Sequence, residues 1–407
     1  MPMADAPTFT ETFTITTDNP LLSGHVVHGR NLLPGVGYVD LVLQVLVRHG
    51  HAMPDIELRS LTILAPLVVA PGEQVLATVE GRPAPNEGWR IEVRSRRRQD
   101  TVDVLHAVVA ARRHILPPFQ ERLSLPLTGV DRLTPLADIY TWLREHELVH
   151  SGLMKIEGAV HHRVADWVVE VKLPPARQDS AGEFLFHPAL FEAGLLGGSV
   201  SSHMLHEGDG DQALYLPMLF QSFRAVAPLG RHCFVRVSAA SMSRDDELIR
   251  LAADFYDPTG VKVAEFGQLA AKRVRTVAAL DVRDAPTQHA VSTAVAADSE
   301  PGSATAPAAA GRDVLSLLRN MVATRLGVSP AEVGTRIGYY QLGLASASLV
   351  GLVTELEDRL SLELSPTVVF EHTTIADLAA WLETRLAESG AREDSHPAAA
   401  PPVGAPT

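Results

Sequence analysis

The sequence predicts an α+β protein in two parts: an amino-terminal region of two antiparallel sheets, each wrapping a buried central helix, and a small carboxyl-terminal helical bundle. Three observations carry this. Period-two alternation of apolar and polar residues recurs along the first two thirds of the chain. Two segments interrupt it that are apolar on nearly all faces, which a helix tolerates only when protein surrounds it. After about residue 311 the apolar spacing changes to the helical period.

The strands are read from FTETFTIT (9 to 16), WRIEVRS (89 to 95), WVVEVKL (167 to 173), CFVRVS (233 to 238) and VKVAEFGQL (261 to 269). The first helix, GVGYVDLVLQVLVRHG, starts after Pro34 and stops at Gly50, with Arg48 and His49 suited to its last turn. The second, HPALFEAGLLGGSV, opens with Pro188 at a first helical position, and Gly197 and Gly198 are expected to weaken or end it. Strand, buried helix, strands is thus a plan that occurs twice, in halves of about 1–140 and 141–276.

From about Val277 to Gly311 large apolar residues nearly vanish (DAPTQHAVSTAVAADSEPGSATAPAAAG), so 277–312 is read as a flexible linker. Beyond it, 313–388 forms the helical unit, and 389–407 is a disordered tail or a further linker. A chain of 407 residues suits two or three units of roughly 100–200 residues each. The balance of 35 basic against 48 acidic residues, a net charge of −13, argues against nucleic acid as a partner. The densest basic cluster, Arg94, Arg96, Arg97 and Arg98, reads as a solvated strand end. No uncharged apolar run reaches the roughly 20 residues of a membrane span, Met1 to Thr10 lacks the features of a secretory signal, and the lone Cys233 has no partner for an internal disulfide. The expectation is a cytoplasmic protein with neither membrane nor nucleic acid among its partners.

In the helical unit, Val314, Leu317, Leu318, Met321 and Val322 form one apolar stripe and Leu349, Leu352, Val353, Leu356 and Leu360 another; Ile375, Leu378, Ala379, Leu382 and Leu386 form a third. Between the first two lies YYQLGLASASLV, where Gly343 allows a tight approach and Ser346 opens the next helix, as a capping serine would. This stretch resembles the GLDSL-type signature of acyl carrier proteins, and LSPTVVFEHTTIADLAAWL (364 to 382) resembles their third and fourth helices. The resemblance implies a covalent 4'-phosphopantetheine on Ser346, attached by a phosphopantetheinyl transferase, with Ser348 the alternative. Ala345 and Ala347 stand where the family usually has an acid and a leucine. Ten acidic residues and five arginines in 313–388 give a net charge of −5, suited to basic docking faces on partner enzymes.

Upstream, HVVHGRNLLPGVGY sets His25, Gly29 and Pro34 in an HxxxGxxxxP pattern, and HPALFEAGL places Glu192 five residues after His187. The first motif resembles the dehydratase domains of polyketide and fatty acid synthases, and the second resembles their HPxLLDxxxQ stretch. The resemblance covers about 8 to 275 and implies a double hot-dog fold. Dehydration of a β-hydroxyacyl thioester needs a base for the α-proton and an acid for the departing hydroxyl. His25 suits the first role; Glu192, desolvated on an apolar helix, is expected to be a neutral acid. Gly29, Pro34, His187 and Pro188 support the turns, His28 falls at a variable position, and amides around Gly35 and Val36 are placed to polarise the thioester carbonyl. No metal is expected.

Three departures bear on the activity. Glu192 stands where the polyketide family usually has Asp, Leu196 where it has Gln or His, and VHSGLMKI (149 to 156) where it has a YGPxF-type motif. The functions consistent with the sequence are dehydration of the tethered acyl thioester, a diverted reaction (double-bond shift, cyclisation or β-branching), or a scaffold between the carrier and a ketosynthase. Other synthase domains are implied partners, and pairing of the dehydratase-like region into a homodimer is implied by the family.

Overall fold

The computed structural model describes residues 9–84, 88–98, 100–113, 117–205, 213–244, 248–274 and 314–393, the last range without 340–341, 343, 345, 361, 363, 365–367 and 373. The chain divides into two compact units, Met1–Asp284 and Ala285–Thr407.

The first half of the amino-terminal unit comprises β1 (Phe9–Thr16), α1 (Pro20–Ser23), β2 (His25–Val27), β3 (Arg30–Asn31), α2 (Gly35–Arg48), β4 (Ile56–Ile63), β5 (Gln74–Ala84), β6 (Gly88–Arg97) and β7 (Val104–Arg113). The second comprises β8 (Arg132–Pro135), α3 (Leu136–Glu145), β9 (Leu148–His150), β10 (Glu157–His162), β11 (Asp166–Lys172), α4 (Pro188–Leu205), β12 (Tyr215–Ala225), β13 (His232–Ser238), β14 (Ser243–Arg244), β15 (Leu248–Tyr256) and β16 (Lys262–Arg273).

The two expected sheets are continuous. Hydrogen-bonded neighbours run β1-β5-β6-β7-β4-β12-β16-β15-β13-β11-β10-β8, with β14 on β15. The junction is the antiparallel pair β4 and β12, where Leu219 faces Thr62 and Phe223 faces Leu58. A separate small sheet, β3-β2-β9, also joins the halves and is absent from the period-two pattern because its strands are two or three residues long.

Each half buries its helix as the sequence requires. In α2, Val36, Tyr38, Val39, Val42, Leu43, Val45 and Leu46 are all buried, and the helix stops where Gly50 takes φ +86°. Helix α4, in contrast, passes through Gly197 and Gly198 to Leu205. These glycines do not end the helix. A Cβ on Gly194 would lie 2.3 Å from Val235, on Gly197 2.8 Å from Val169 and on Gly198 2.7 Å from Val237, so their absence of side chain lets α4 lie on β11 and β13. Phe191 anchors the same helix, stacking on Phe266 at 4.9 Å and meeting Phe223 and Phe255 at 5.5 and 4.8 Å.

Of the basic strand end, Arg96 and Arg98 are exposed while Arg94 and Arg97 are partly buried, and three are neutralised in place: Arg94 pairs with Glu92, Arg96 with Asp103 and Arg97 with Glu73. Among the described residues no helix is long and apolar enough to cross a membrane.

The second unit contains α5 (Val314–Leu326), α6 (Ser346–Leu360), the single turn α7 (Val368–Glu371) and α8 (Ile375–Glu393). Leu318, Met321 and Val322 of α5, Leu349, Leu352, Val353 and Leu356 of α6, and Ile375, Leu378 and Leu382 of α8 are buried, as the three stripes require. Tyr339 donates its hydroxyl to the Thr374 carbonyl, and Arg319 donates to the Val333 carbonyl, fixing the segment between α5 and α6.

Candidate active site

The HxxxG motif is a hairpin. His28 and Gly29, at φ 47° and 75°, are the two central residues between β2 and β3, and both left-handed angles match the turn that suits strand twist. The hairpin closes on itself through His25: the Leu32 amide donates to the His25 carbonyl, and the His25 Nδ1–H donates to the Leu32 carbonyl at 3.0 Å. That bond fixes the ring, leaving Nε2 to face inward. Pro34, extended at ψ 144°, then starts α2.

His187 and Pro188 begin α4. His187 Nδ1 accepts the Ala189 N–H at 3.3 Å, and its Nε2 meets the Ser180 hydroxyl at 3.1 Å. Burial pushes its pKa down to about 4, which keeps the ring neutral and able to accept. His187 is therefore a helix cap, and Glu192 follows on α4 one turn later.

Asp40, at the centre of α2, connects the two helices. Its Oδ1 accepts the amides of Leu185 and Phe186 at 2.9 and 2.7 Å, and its Oδ2 accepts from Gln44 at 2.6 Å. Burial lifts its pKa to about 6 against these bonds. The segment entering α4 is thus tied to the first half.

The result is convergence. Glu192 Oε1 lies 3.1 Å from His25 Nε2 and 3.5 Å from His150 Nε2, and all three side chains are buried. Sequence reasoning had not singled out His150. It lies in the VHSGLMKI segment, and antiparallel pairing of β2 with β9 sets it directly opposite His25. No spacing in the sequence marks it: β9 is three residues long, and only its register against β2 brings His150 to His25. Leu196, one turn beyond Glu192, packs against the core, so the polar support absent from the helix reaches Glu192 from β9.

The electrostatics correct one expectation. Burial does push the Glu192 carboxyl up, but His25 and His150 pull it further down, well below the usual carboxylate range. Burial lowers His25, and the Glu192 charge, its hydrogen bond and the Leu32 carbonyl together raise it above its ordinary value. The apolar helix surroundings alone would give a neutral acid; the two imidazoles make Glu192 a carboxylate and place the pair's proton on His25.

In the second unit, Ser346 is the first residue of α6, a fifteen-residue helix. Unpaired amides and the positive end of the dipole at a helix start fit a phosphodiester. Gly343 and Ala345 lie outside the described residues, as does the Ser346 side chain.

A continuous antiparallel sheet around two central helices, with a histidine of one half meeting a carboxylate of the other, defines a double hot-dog domain of the dehydratase class. Known families agree along the chain: "Polyketide synthase dehydratase domain" matches residues 1–96, "Polyketide synthase dehydratase N-terminal domain" 120–281, and "Phosphopantetheine attachment site" 316–382. The chain belongs to the polyketide synthase family, as a dehydratase domain followed by a carrier domain that bears 4'-phosphopantetheine.

Among curated relatives, polyketide synthases PksL and PksM of Bacillus subtilis (strain 168) are 30% and 32% identical over 93% and 92% of this chain. The chain spans 8% of the length of either. A solved monomeric dehydratase domain from a trans AT polyketide synthase split module is 29% identical, with a TM-score of 0.63 over 66% of this chain and 100% of that one. An N-terminal dehydratase from the difficidin assembly line shares the fold, at 23% identity and a TM-score of 0.59 over 66% of this chain and 94% of its own.

Proposed function

We propose that the amino-terminal unit removes water from a β-hydroxyacyl thioester carried on Ser346, giving the α,β-unsaturated thioester, with His25 as base and Glu192 as acid. The observation that carries this is the buried 3.1 Å contact between His25 Nε2 and Glu192 Oε1. The phosphopantetheine thiol supplies the thioester that acidifies the α-proton.

The pair holds one proton, and the reaction needs it on the other partner. A substrate entering between the two groups separates the charges, and in a water-poor site the neutral tautomer, imidazole and carboxylic acid, is then favoured. His25 Nε2 takes the α-proton. The β-hydroxyl leaves as water with the proton of Glu192. The products are an imidazolium and a carboxylate, the state of the resting pair, so proton return across the contact readies the site for the next turnover. The hydrogen bond to Leu32 keeps His25 Nε2 aimed at the substrate, and amides at the start of α2 would polarise the thioester carbonyl.

The proposal extends to the domain limits, 1–276 for the dehydratase region, 277–312 for the linker, 313–388 for the carrier and 389–407 for the tail. It also extends to modification by a phosphopantetheinyl transferase, acyl exchange with a ketosynthase, and the cytoplasm as compartment. Pairing of two copies through the dehydratase region is a separate proposal. The 29% identical solved domain is described as monomeric, and light scattering distinguishes one copy from two.

The test loads Ser346 with a β-hydroxyacyl phosphopantetheine and follows the mass of the arm. Loss of one water in the native chain, absent in His25→Ala and Glu192→Gln, supports the reading. Retention of the hydroxyl by the native chain sinks it, as does a double-bond shift or ring closure on an unsaturated arm without water loss. Loading that persists in Ser346→Ala removes Ser346 as the attachment residue.

A further inference from the structure

We propose that His25, His150 and Glu192 form a binding site for one zinc ion. The three ligand atoms, each supplied by a buried side chain, lie within 4.8 Å of one another. Four-coordinate zinc holds nitrogen and oxygen ligands at about 2.0–2.2 Å, which sets tetrahedral neighbours about 3.3–3.6 Å apart. Of the three separations, His150 to Glu192 at 3.5 Å falls in that range and His25 to Glu192 at 3.1 Å lies just below it.

Hydrogen bonding strengthens the case. With His25 Nδ1–H committed to the Leu32 carbonyl, Nε2 is the ring atom that faces Glu192. The one proton shared by that pair serves His25 and Glu192 alone, whereas a divalent cation taking its place meets all three ligand atoms. In addition, neither ring nitrogen of His150 nor Glu192 Oε2 has a hydrogen-bond partner among the described residues. Unpaired buried polar atoms of this kind are few in folded proteins and call for a ligand. The backbone carbonyl behind His25 is also the support that metal-binding histidines commonly have. Two imidazoles and a carboxylate, with a fourth position open, suit zinc among first-row divalent ions.

An ion there occupies the lone pair and carboxylate that the proposed dehydration uses, so zinc inhibits that reaction and a chelator restores it. This consequence rests on the proposed function, while binding does not. A chain with no dehydration but intact zinc binding overturns the former alone.

The test titrates metal-free full-length protein with zinc chloride in a calorimeter and with Co2+ in an absorption cell. The expected result is one ion per chain with a dissociation constant below about 10 µM and the intense visible bands of four-coordinate cobalt. Glu192→Gln, which keeps the side-chain shape, and His150→Phe each weaken it at least about tenfold, with thermal melts showing that both fold. The half-exposed cluster His161, Glu170 and His232 is the control: His232→Ala leaves the cobalt spectrum unchanged. No saturable ion below about 100 µM overturns the site. Binding that survives Glu192→Gln and His150→Phe, or disappears with His232→Ala, overturns it as well.

Discussion

The two halves of the dehydratase domain hold His25 and Glu192 by different means. In the first half, His25 sits in a hairpin and its ring is oriented by a hydrogen bond to the backbone of Leu32, seven residues away. In the second, Glu192 rides on a helix whose position depends on tertiary packing, with glycines against β11 and β13 and Phe191 among other phenylalanines. Its polar contacts come from the histidines of two short strands. A group placed by local backbone tolerates distant change better than one placed by packing. The comparison predicts where mutations will act on chemistry and where they will act on stability.

The largest effects fall on the groups themselves. His25→Ala and Glu192→Gln should each slow dehydration of the loaded carrier by about 10²–10⁴-fold in the folded chain, as single-turnover mass spectrometry would report. Equal loss from both would sharpen the comparison, because it shows that different supports serve equivalent roles.

Next comes the packing that carries Glu192. Phe191→Ala should lower the unfolding free energy by about 3–5 kcal/mol in a denaturant titration, since it empties a site between Phe266, Phe223 and Phe255. Gly194→Val should cost about 1–3 kcal/mol by pushing α4 off Val235. It should also slow dehydration, as Glu192 lies two residues away on the same helix. A Gly194→Val chain of native stability and rate would break the contrast between the halves.

The first half offers a pH test away from the site. His106 is fixed as a neutral ring between the Ala65 carbonyl and the Ser95 hydroxyl, and burial pushes its pKa down to about 4. A depressed folded pKa means that unfolding takes up a proton. This stability is therefore full above about pH 6.5 and is lost as pH falls toward 4, by up to about 3 kcal/mol. Urea midpoints between pH 4 and 7 should show that slope, and His106→Gln should flatten it.

A smaller effect belongs to the tie between the halves. Asp40→Asn retains one acceptor for the Leu185 and Phe186 amides but weakens both bonds, so a loss of about 1–2 kcal/mol is expected, read from the melting temperature.

How much of this was legible in the sequence follows the same division. The all-apolar α2 and the strands with period-two alternation are local, and their residue spacing announces them. Helix α3 was legible but unread: Leu136, Ile139, Tyr140 and Leu143 form a buried helical stripe. The glycines of α4 misled because propensity treats glycine as a stop, whereas here the close approach to the sheet overrides it. The charge of Glu192 was misjudged for a similar reason. Its apolar neighbours are adjacent in sequence, while the imidazoles that hold it as a carboxylate arrive from residues 42 and more positions away. His150 was beyond reach of sequence spacing, because only the register of β2 against β9 sets it beside His25.

The claim that His25 and Glu192 share one proton and act as a unit is tested most directly by a double-mutant cycle on the dehydration rate of the loaded carrier. If they act as a unit, the double variant His25→Ala, Glu192→Gln is about as slow as either single variant, since removing one partner already disables the transfer. If the double variant is slower than each single by the full product of the two separate losses, the groups work independently, and the one-proton account is wrong.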